Sequence, residues 1–250
     1  MGTNRQQYRN FLKDTVRRTI DFSKTDQNAG ISPPPLEKPA AADARRIDLV
    51  TKVSWRGFSG LDLVSAIEER RSHRSFTGEP LTLEELSFLL WATQGIRQAA
   101  NESTAFRNVP SAGCRHALET YLCVLNVTGL DPGLYRFLPV ENQLLTVSRE
   151  ENLSGRLAAA AFGQVFLAKA PVTFVWTTIP YRMEWRYDIA AHKVIALDAG
   201  HVCQNLYLAS AAIGCGTCAV AAYHQELMDE LLGVDGDDEF TLYLAPIGKL

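Results

Sequence analysis

The densest group of hydrogen-bonding cations in the chain is Arg70-Arg71-Ser72-His73-Arg74. It stands where a helical pattern gives way to Ser75-Phe76-Thr77-Gly78. Guanidinium forks beside a hydroxyl suit phosphate oxygens, which they meet bidentately. Alone, the run also reads as a basic helix end answering the macrodipole, the commoner use of such a sequence. Pro110-Ser111-Ala112-Gly113 is a run of small residues of the kind that lets backbone approach a flat ligand or another chain, or that simply turns. Cys215-Gly216-Thr217-Cys218 has C-x-x-C spacing, yet it follows a helix end where a redox dithiol would open a helix. His201 and His224 stand at no standard zinc spacing from it, so a structural role is the better reading. His201, with Gln204 and Asn205 in an apolar helix, reads as a satisfied interior polar residue. G-x-S-x-G, the Walker P-loop and G-x-G-x-x-G are all absent, which leaves hydrolase and dinucleotide-fold readings without support.

The background for this chemistry is ordinary. The 250 residues are 46% hydrophobic and 21% charged, the balance of a globular protein with a sizeable core. A formal net charge of −3 argues against a general nucleic-acid binder, which needs a basic surface. No window approaches the roughly 18 apolar residues of a membrane span, and the N-terminus lacks a secretory pattern, so the expected location is cytoplasmic. Five cysteines, an odd count, read as reduced thiols, most of them small core residues.

The elements that must position these residues fall into two parts. Residues 1–58 hold a polar helical stretch around Tyr8 to Phe22 and then Ser32-Pro33-Pro34-Pro35, the signature of a partly extended N-terminal arm, loose or wrapped on a partner subunit. From residue 59 to 250 the pattern is that of one folded domain. Leu61, Val64 and Ile67 predict an amphipathic helix with a basic last turn. Thr82 and Glu85 form a capping box before the stripe Leu83, Leu86 and Leu90, which Gly95 stops. Tyr121 to Val127 predicts a strand covered on both faces, and Leu134 to Phe137 with Leu144 to Val147 predict a hairpin about Glu141-Asn142. A helix over Leu153 to Ala168, a strand over Val172 to Thr178, a long helix over Leu197 to Ile213, a short one over Glu226 to Leu232 and a closing strand over Thr241 to Ile247 complete the pattern. Helices and antiparallel-capable strands mix without a βαβ repeat, which predicts the α+β class.

In order, Ile67 to Phe76, Leu86 to Gly95, Pro110 to Gly113, Asp198-Ala199-Gly200-His201 with Gln204-Asn205, Gly214 to Thr217, Ala219 to Tyr223 and Ala245 to Lys249 resemble the FMN-dependent nitroreductase superfamily. The Pro-bearing arm, the Trp91 to Gly95 helix end and the Pro-Ser-Ala-Gly form resemble its branch of thiazoline- and oxazoline-oxidising peptide dehydrogenases. The resemblance implies a mixed, mainly antiparallel sheet flanked by helices and an intertwined homodimer with FMN between subunits. It implies that Arg70, Arg71, Ser72 and Arg74 hold the phosphate, ribityl chain and pyrimidine edge, with Lys249 the C-terminal phosphate candidate. Pro110, Ser111, Ala112 and Gly113 would come from the other subunit. Ala219, Val220, Ala221 and Ala222 would pass beside the ring, with a backbone N–H near N5, provided φ at Ala221 is negative.

The implied activity is NAD(P)H-linked ping-pong reduction of a nitroaromatic or quinone-like acceptor, with NADH or NADPH as donor. Arg186 and Tyr187 are the candidates lining the acceptor side. The alternatives are an azoline-oxidase-like dehydrogenase of a modified peptide or heterocycle, and a non-catalytic flavin-binding subunit. Arg186 stands where the peptide-oxidising branch has Lys, and Ala117 where the family often has Pro; a guanidinium does not act as a base, which weighs against azoline oxidation.

Overall fold

Apolar runs without alternation need cover on both faces, and the fold provides it with helices on either side of one sheet. The computed structural model describes every residue except Met1, Gly57, Ser59, Gly60 and Glu102. In chain order the elements are α1 (Gly2–Leu12), β1 (Arg46–Asp48), α2 (Leu63–Glu69), β2 (Leu81–Thr82), α3 (Leu83–Gln94), β3 (Ile96–Asn101), β4 (Thr104–Arg107), β5 (Leu118–Val124), β6 (Val127–Thr128), β7 (Gly133–Leu138), β8 (Gln143–Ser148), α4 (Leu153–Ala160), β9 (Val172–Thr178), α5 (Tyr181–Tyr187), α6 (Ala191–Ala212), β10 (Cys215–Thr217), α7 (Gln225–Leu232) and β11 (Phe240–Lys249). The main sheet runs β1-β8-β7-β5-β9-β11-β10, antiparallel at every pairing. The two-residue strands β2 and β6 pair in parallel, and β3 and β4 make a separate hairpin. The α+β expectation holds.

Every residue of β5, β7 and β9 is buried. Leu122, Val124, Phe174 and Trp176 pack on the face carrying α3 and α6, while Tyr121, Cys123 and Val175 join α4 and α7 on the other. The strand predicted over Val172 to Thr178 has those bounds. The capping box forms, with Thr82 Oγ1 accepting from Glu85 N–H and the Glu85 carboxylate from Thr82 N–H. Such a cap contributes about 1 kcal/mol. Gly95 ends α3 as expected, for a steric reason: its φ is −59°, and a Cβ there would lie 2.6 Å from the Trp91 carbonyl oxygen.

Several expectations shift. The helix over Leu153 to Ala168 stops at Ala160, because Phe162 and Gly163 take positive φ. The predicted strand to Val127 ends at Val124, and α6 begins at Ala191, ahead of Leu197. The last turn of α2 holds no basic residue, and its apolar positions Leu63, Val64 and Ile67 are exposed. His201 is also exposed, a correction to its reading as an interior residue, since it sits on the face of α6 turned from the sheet.

The boundary expected after residue 58 falls beside Gly57, Ser59 and Gly60, outside the described residues. Before it, the chain folds back on the domain that follows. β1 pairs with β8, Lys38 N–H donates to Glu119 Oε1 at 2.9 Å, and the Lys38 ammonium meets Glu239 at 2.5 Å. Two buried guanidinia, Arg107 and Arg136, donate to the carbonyls of Leu36 and Pro39 at 2.8 and 3.1 Å. Proline-rich chain offers few N–H donors but keeps its carbonyls, so cations are its natural anchors.

Candidate functional site

The helix α6 organises the site. Its buried face, with Ala199, Val202, Cys203 and Leu206, lies on the core, and Asn205 Nδ2 donates to the Ala92 carbonyl of α3 at 2.9 Å. Toward its C-terminal end stands Tyr207, whose hydroxyl lies 2.9 Å from Ser72 Oγ and accepts from Ala219 N–H at 2.8 Å. The Arg70 guanidinium lies over the Tyr207 ring, 5.2 Å from its centre. One phenol therefore joins the segments at residues 70–74 and 219–222. Ser72 also bridges to Thr217 of β10, and His73 N–H donates to the Thr217 carbonyl at 2.9 Å, so the segment runs along the sheet edge. Gly216 is required there: a Cβ would lie 2.7 Å from the His73 side chain.

The cations of this corner face outward. Arg71 and Arg74 are exposed; Arg71 donates to the carbonyls of Glu68 and Arg70, and Arg74 lies 6.0 Å from the Phe166 ring centre. None of Arg70, Arg71 and Arg74 has an ion pair among the described residues. Lys249 differs, because its ammonium is paired with Glu85. Val220 exchanges hydrogen bonds with Leu244, whereas the N–H groups of Ala221 and Ala222 have no partner among the described residues. Ala221 is absent from the positive-φ positions, so alanine is unstrained there.

Pro110 to Gly113 lie toward the other end of α6. The Asp198 carboxylate accepts from Ala112 N–H at 3.2 Å, and Ser111 Oγ accepts from His116 N–H at 2.9 Å. Burial raises the Asp198 carboxyl, while its contacts to Ser111 and Ala112 act the other way. Gly113 has φ of 58°, and a Cβ would lie 2.5 Å from Tyr187 Oη and 2.7 Å from Arg186 Cδ. Arg186 is itself held, through Nη1 to Gln27 Oε1 at 3.1 Å and Nε to Tyr187 Oη at 3.3 Å. The small-residue segment and the Arg186-Tyr187 pair thus form one cluster. Asp198 and Tyr207 are nine residues apart on α6, roughly 13 Å along its axis. The chain brings the predicted residues together as two clusters at separate ends of one helix.

Sequence reasoning missed Tyr207, which the i, i+3 spacing from Gln204 could have suggested, and Asp198 as the brace of Ala112. It also missed a buried charged group: Glu119 sits 2.6 Å from Arg182 and 3.7 Å from Arg136. The signal was Arg136, a charged residue inside the apolar run Leu134 to Phe137. Cys215 and Cys218 are free and buried, and burial pushes the Cys215 thiol up to about 12, the opposite of a redox dithiol. Among the described residues no helix is long and apolar enough to cross a membrane.

The chain resembles known proteins over most of its length. The model of the nitroreductase family matches residues 67–249. A Methanocaldococcus jannaschii protein named as a nitroreductase is 33% identical over 189 residues, 76% of this chain and 91% of its own. Among solved structures, one named as a nitroreductase from Ralstonia eutropha has a TM-score of 0.67 at 26% identity, covering 87% of this chain and 94% of that one. One from Anabaena variabilis has the same TM-score at 25% identity over 83% of this chain, which spans only 42% of the Anabaena chain. A chain of the Escherichia coli microcin synthetase McbBCD, solved with truncated pro-MccB17 bound, shares the fold at a TM-score of 0.61 and 20% identity, covering 79% of this chain and 77% of that one. The chain is a member of the nitroreductase family.

Proposed function

We propose that the protein is an FMN-dependent oxidoreductase working as a homodimer, drawing electrons from NADH or NADPH for a nitroaromatic or quinone-like acceptor. The observation that carries this reading is the Tyr207 junction. Around it stand Arg70, Arg71 and Arg74, with no ion pair among the described residues, and two backbone N–H groups with no partner among them, a donor set suited to a ligand that is anionic at one end and a flat acceptor at the other. When bound, FMN supplies reversible two-electron chemistry. Arg70, Arg71 and Arg74 neutralise its phosphate, Ser72 adds a donor, and the N–H of Ala221 or Ala222 meets the ring edge. Lys249, paired with Glu85, flanks this corner.

Between the two clusters α6 exposes Leu197, Gly200 and Gln204, beside the exposed apolar face of α2. A glycine inside a helix costs roughly 0.5–1 kcal/mol against alanine, and a Cβ on Gly200 would meet no atom within 4 Å in the protomer. A second copy packed closely on this strip accounts for both, and brings its own Pro110, Ser111, Ala112 and Gly113 toward the first copy's Arg70 corner. Arg186 and Tyr187, behind Gly113, then line the acceptor side. They orient and need not move a proton; a guanidinium held by Gln27 and Tyr187 is no base, which disfavours azoline oxidation.

The test is the absorption spectrum of the purified protein, followed by anaerobic addition of NADH and of NADPH. A flavin band released on denaturation as FMN, and bleached by one of the two donors, is the expected result. A colourless protein that takes up no added FMN overturns the cofactor assignment, and a band that neither donor bleaches overturns the direction of electron flow.

A further inference from the structure

A further concave feature adjoins Pro110 and Ser111. It is a cleft of about 410 Å³ whose lining includes Arg97, Phe106, Arg107, Ser111, Cys114 and His116. No carboxylate among the described residues lines it. Arg107 is 6% exposed, and its hydrogen bonds go only to neutral groups, from Nη1 to Gln94 Oε1 at 2.9 Å and from Nη2 to the Leu36 carbonyl. Its Nε, buried, has no partner. The carboxylates that act on it through space are Glu119, which pairs with Arg182 and Arg136, and Glu37; neither forms an ion pair with it among the described residues.

A buried cation without a carboxylate of its own carries a desolvation cost of several kcal/mol unless something neutralises it. Burial lowers Arg107 to about 10, which leaves it charged at neutral pH. His116 contributes no charge there, since burial, and then Arg107, hold its imidazole down at about 3. The cleft is therefore cationic through its arginines alone. It also has an apolar wall: the Phe106 ring is 41% exposed, and Val109 and Pro110 adjoin it. Its volume lies at the small-molecule end of ligand pockets.

We propose that this cleft binds an aromatic carboxylate, the acid group on Arg107 and Arg97 and the ring against Phe106. The binding needs no flavin; only its consequence, selection of acceptors that carry an acid group, rests on the function proposed above. A carboxylate supplies the direct ion-pair partner that Arg107 and Arg97 lack among the described residues and is planar, matching a guanidinium edge. A phosphate would meet the same arginines but leave the Phe106 face unused.

Cys114 reports on occupancy, because it lines the cleft and is the one cysteine of the five that is not buried. The experiment is the rate of Cys114 alkylation by iodoacetamide, followed by mass spectrometry of the whole chain, with benzoate, benzyl alcohol or inorganic phosphate added. Flavin content is recorded on the same sample. Benzoate is expected to slow the reaction at least fivefold at saturation, with benzyl alcohol and phosphate without effect. Arg107→Gln should raise the benzoate concentration needed by roughly tenfold or more. Arg97→Gln, at an exposed position where folding is not at stake, should raise it severalfold. Equal protection by benzyl alcohol, protection by phosphate alone, no protection by benzoate, or an unchanged benzoate requirement in Arg97→Gln overturns the proposal. A colourless protein whose Cys114 is protected by benzoate would overturn the flavin reading while leaving this one standing.

Discussion

The two clusters at the ends of α6 are built on opposite principles. At residues 70–74 the guanidinia of Arg71 and Arg74 are exposed and that of Arg70 half-buried over the ring of one phenol, with no ion pair among the described residues. At residues 110–113 the backbone is fixed by Asp198, by a positive-φ glycine and by the Arg186-Tyr187 pair pressed against that glycine. The first cluster can lose side chains without losing the fold, since surface substitutions away from packing change stability little. The second has no such slack. Selectivity for a ligand and rigidity of the frame are thus separable here, and substitutions should tell them apart.

The largest effect is expected from Arg70→Gln combined with Arg74→Gln. Two charge-assisted hydrogen bonds are removed, so FMN affinity should fall about 100-fold or more, with the unfolding midpoint unchanged. Equilibrium titration of apoprotein with FMN reads it; undiminished affinity would take the phosphate away from this corner. Gly113→Ala reverses the pattern. A positive φ with the Arg186 and Tyr187 contacts should cost roughly 1–3 kcal/mol in urea unfolding, and wild-type stability would show that the segment is not braced as described.

The pH dependence sharpens the same contrast, because it belongs to the rigid side. His116 is depressed to about 3, so the unfolded chain binds its proton first and stability falls as pH drops from about 6.5 toward 3, by roughly 1.4 kcal/mol per pH unit. Glu37 is raised to about 7, chiefly by burial and then by Glu141, so its contribution is full below about 4.5 and is lost as pH rises to 7. From these two groups the curve is nearly flat between 6.5 and 4.5 and falls below that. Glu37→Gln removes the opposing member, and the fall should then begin near 6.5; denaturant midpoints across pH read the difference, and an onset still at 4.5 would contradict the assignment. Smallest is Tyr207→Phe, which frees Ser72 and Ala219 N–H at a cost of about 1 kcal/mol in stability. Loss of FMN affinity in this variant without loss of fold would show that the phenol positions the corner; unchanged affinity would make it a bystander.

The parts of the fold legible in the sequence were those with strong local signals: the Thr82-Glu85 box, the β-branched run of β9, and the short helix α7. Less legible were elements set by tertiary contact. β1 is a single isoleucine between two charged residues, Arg46-Ile47-Asp48, that becomes a strand because β8 offers an edge, and α5 begins after Ile179-Pro180 with no apolar period. β3 and β4 carry Arg97, Gln98 and Arg107 and lack clean alternation. Of the candidate site, although each alone fitted a basic helix end or an ordinary turn as well, the runs at 70–74 and 110–113 stood out by residue type. Their supports did not, since Asp198, Tyr207 and Gln27 matter only through where the chain carries them. The arm is the clearest case. Its prolines predicted extension, but buried Arg107 and Arg136 receiving its carbonyls is a long-range pairing that no local pattern encodes.

The central claim is that one flavin site draws its Arg70 corner from one protomer and its Gly113 segment from the other. A heterodimer of an Arg70→Gln/Arg74→Gln copy with a Gly113→Val copy, purified through two different tags, tests it by FMN content. Shared sites leave one site with both halves intact, so the heterodimer should hold one FMN per dimer while each parent homodimer holds none. A heterodimer as empty as its parents would mean that each site lies within a single protomer, and the account would be wrong.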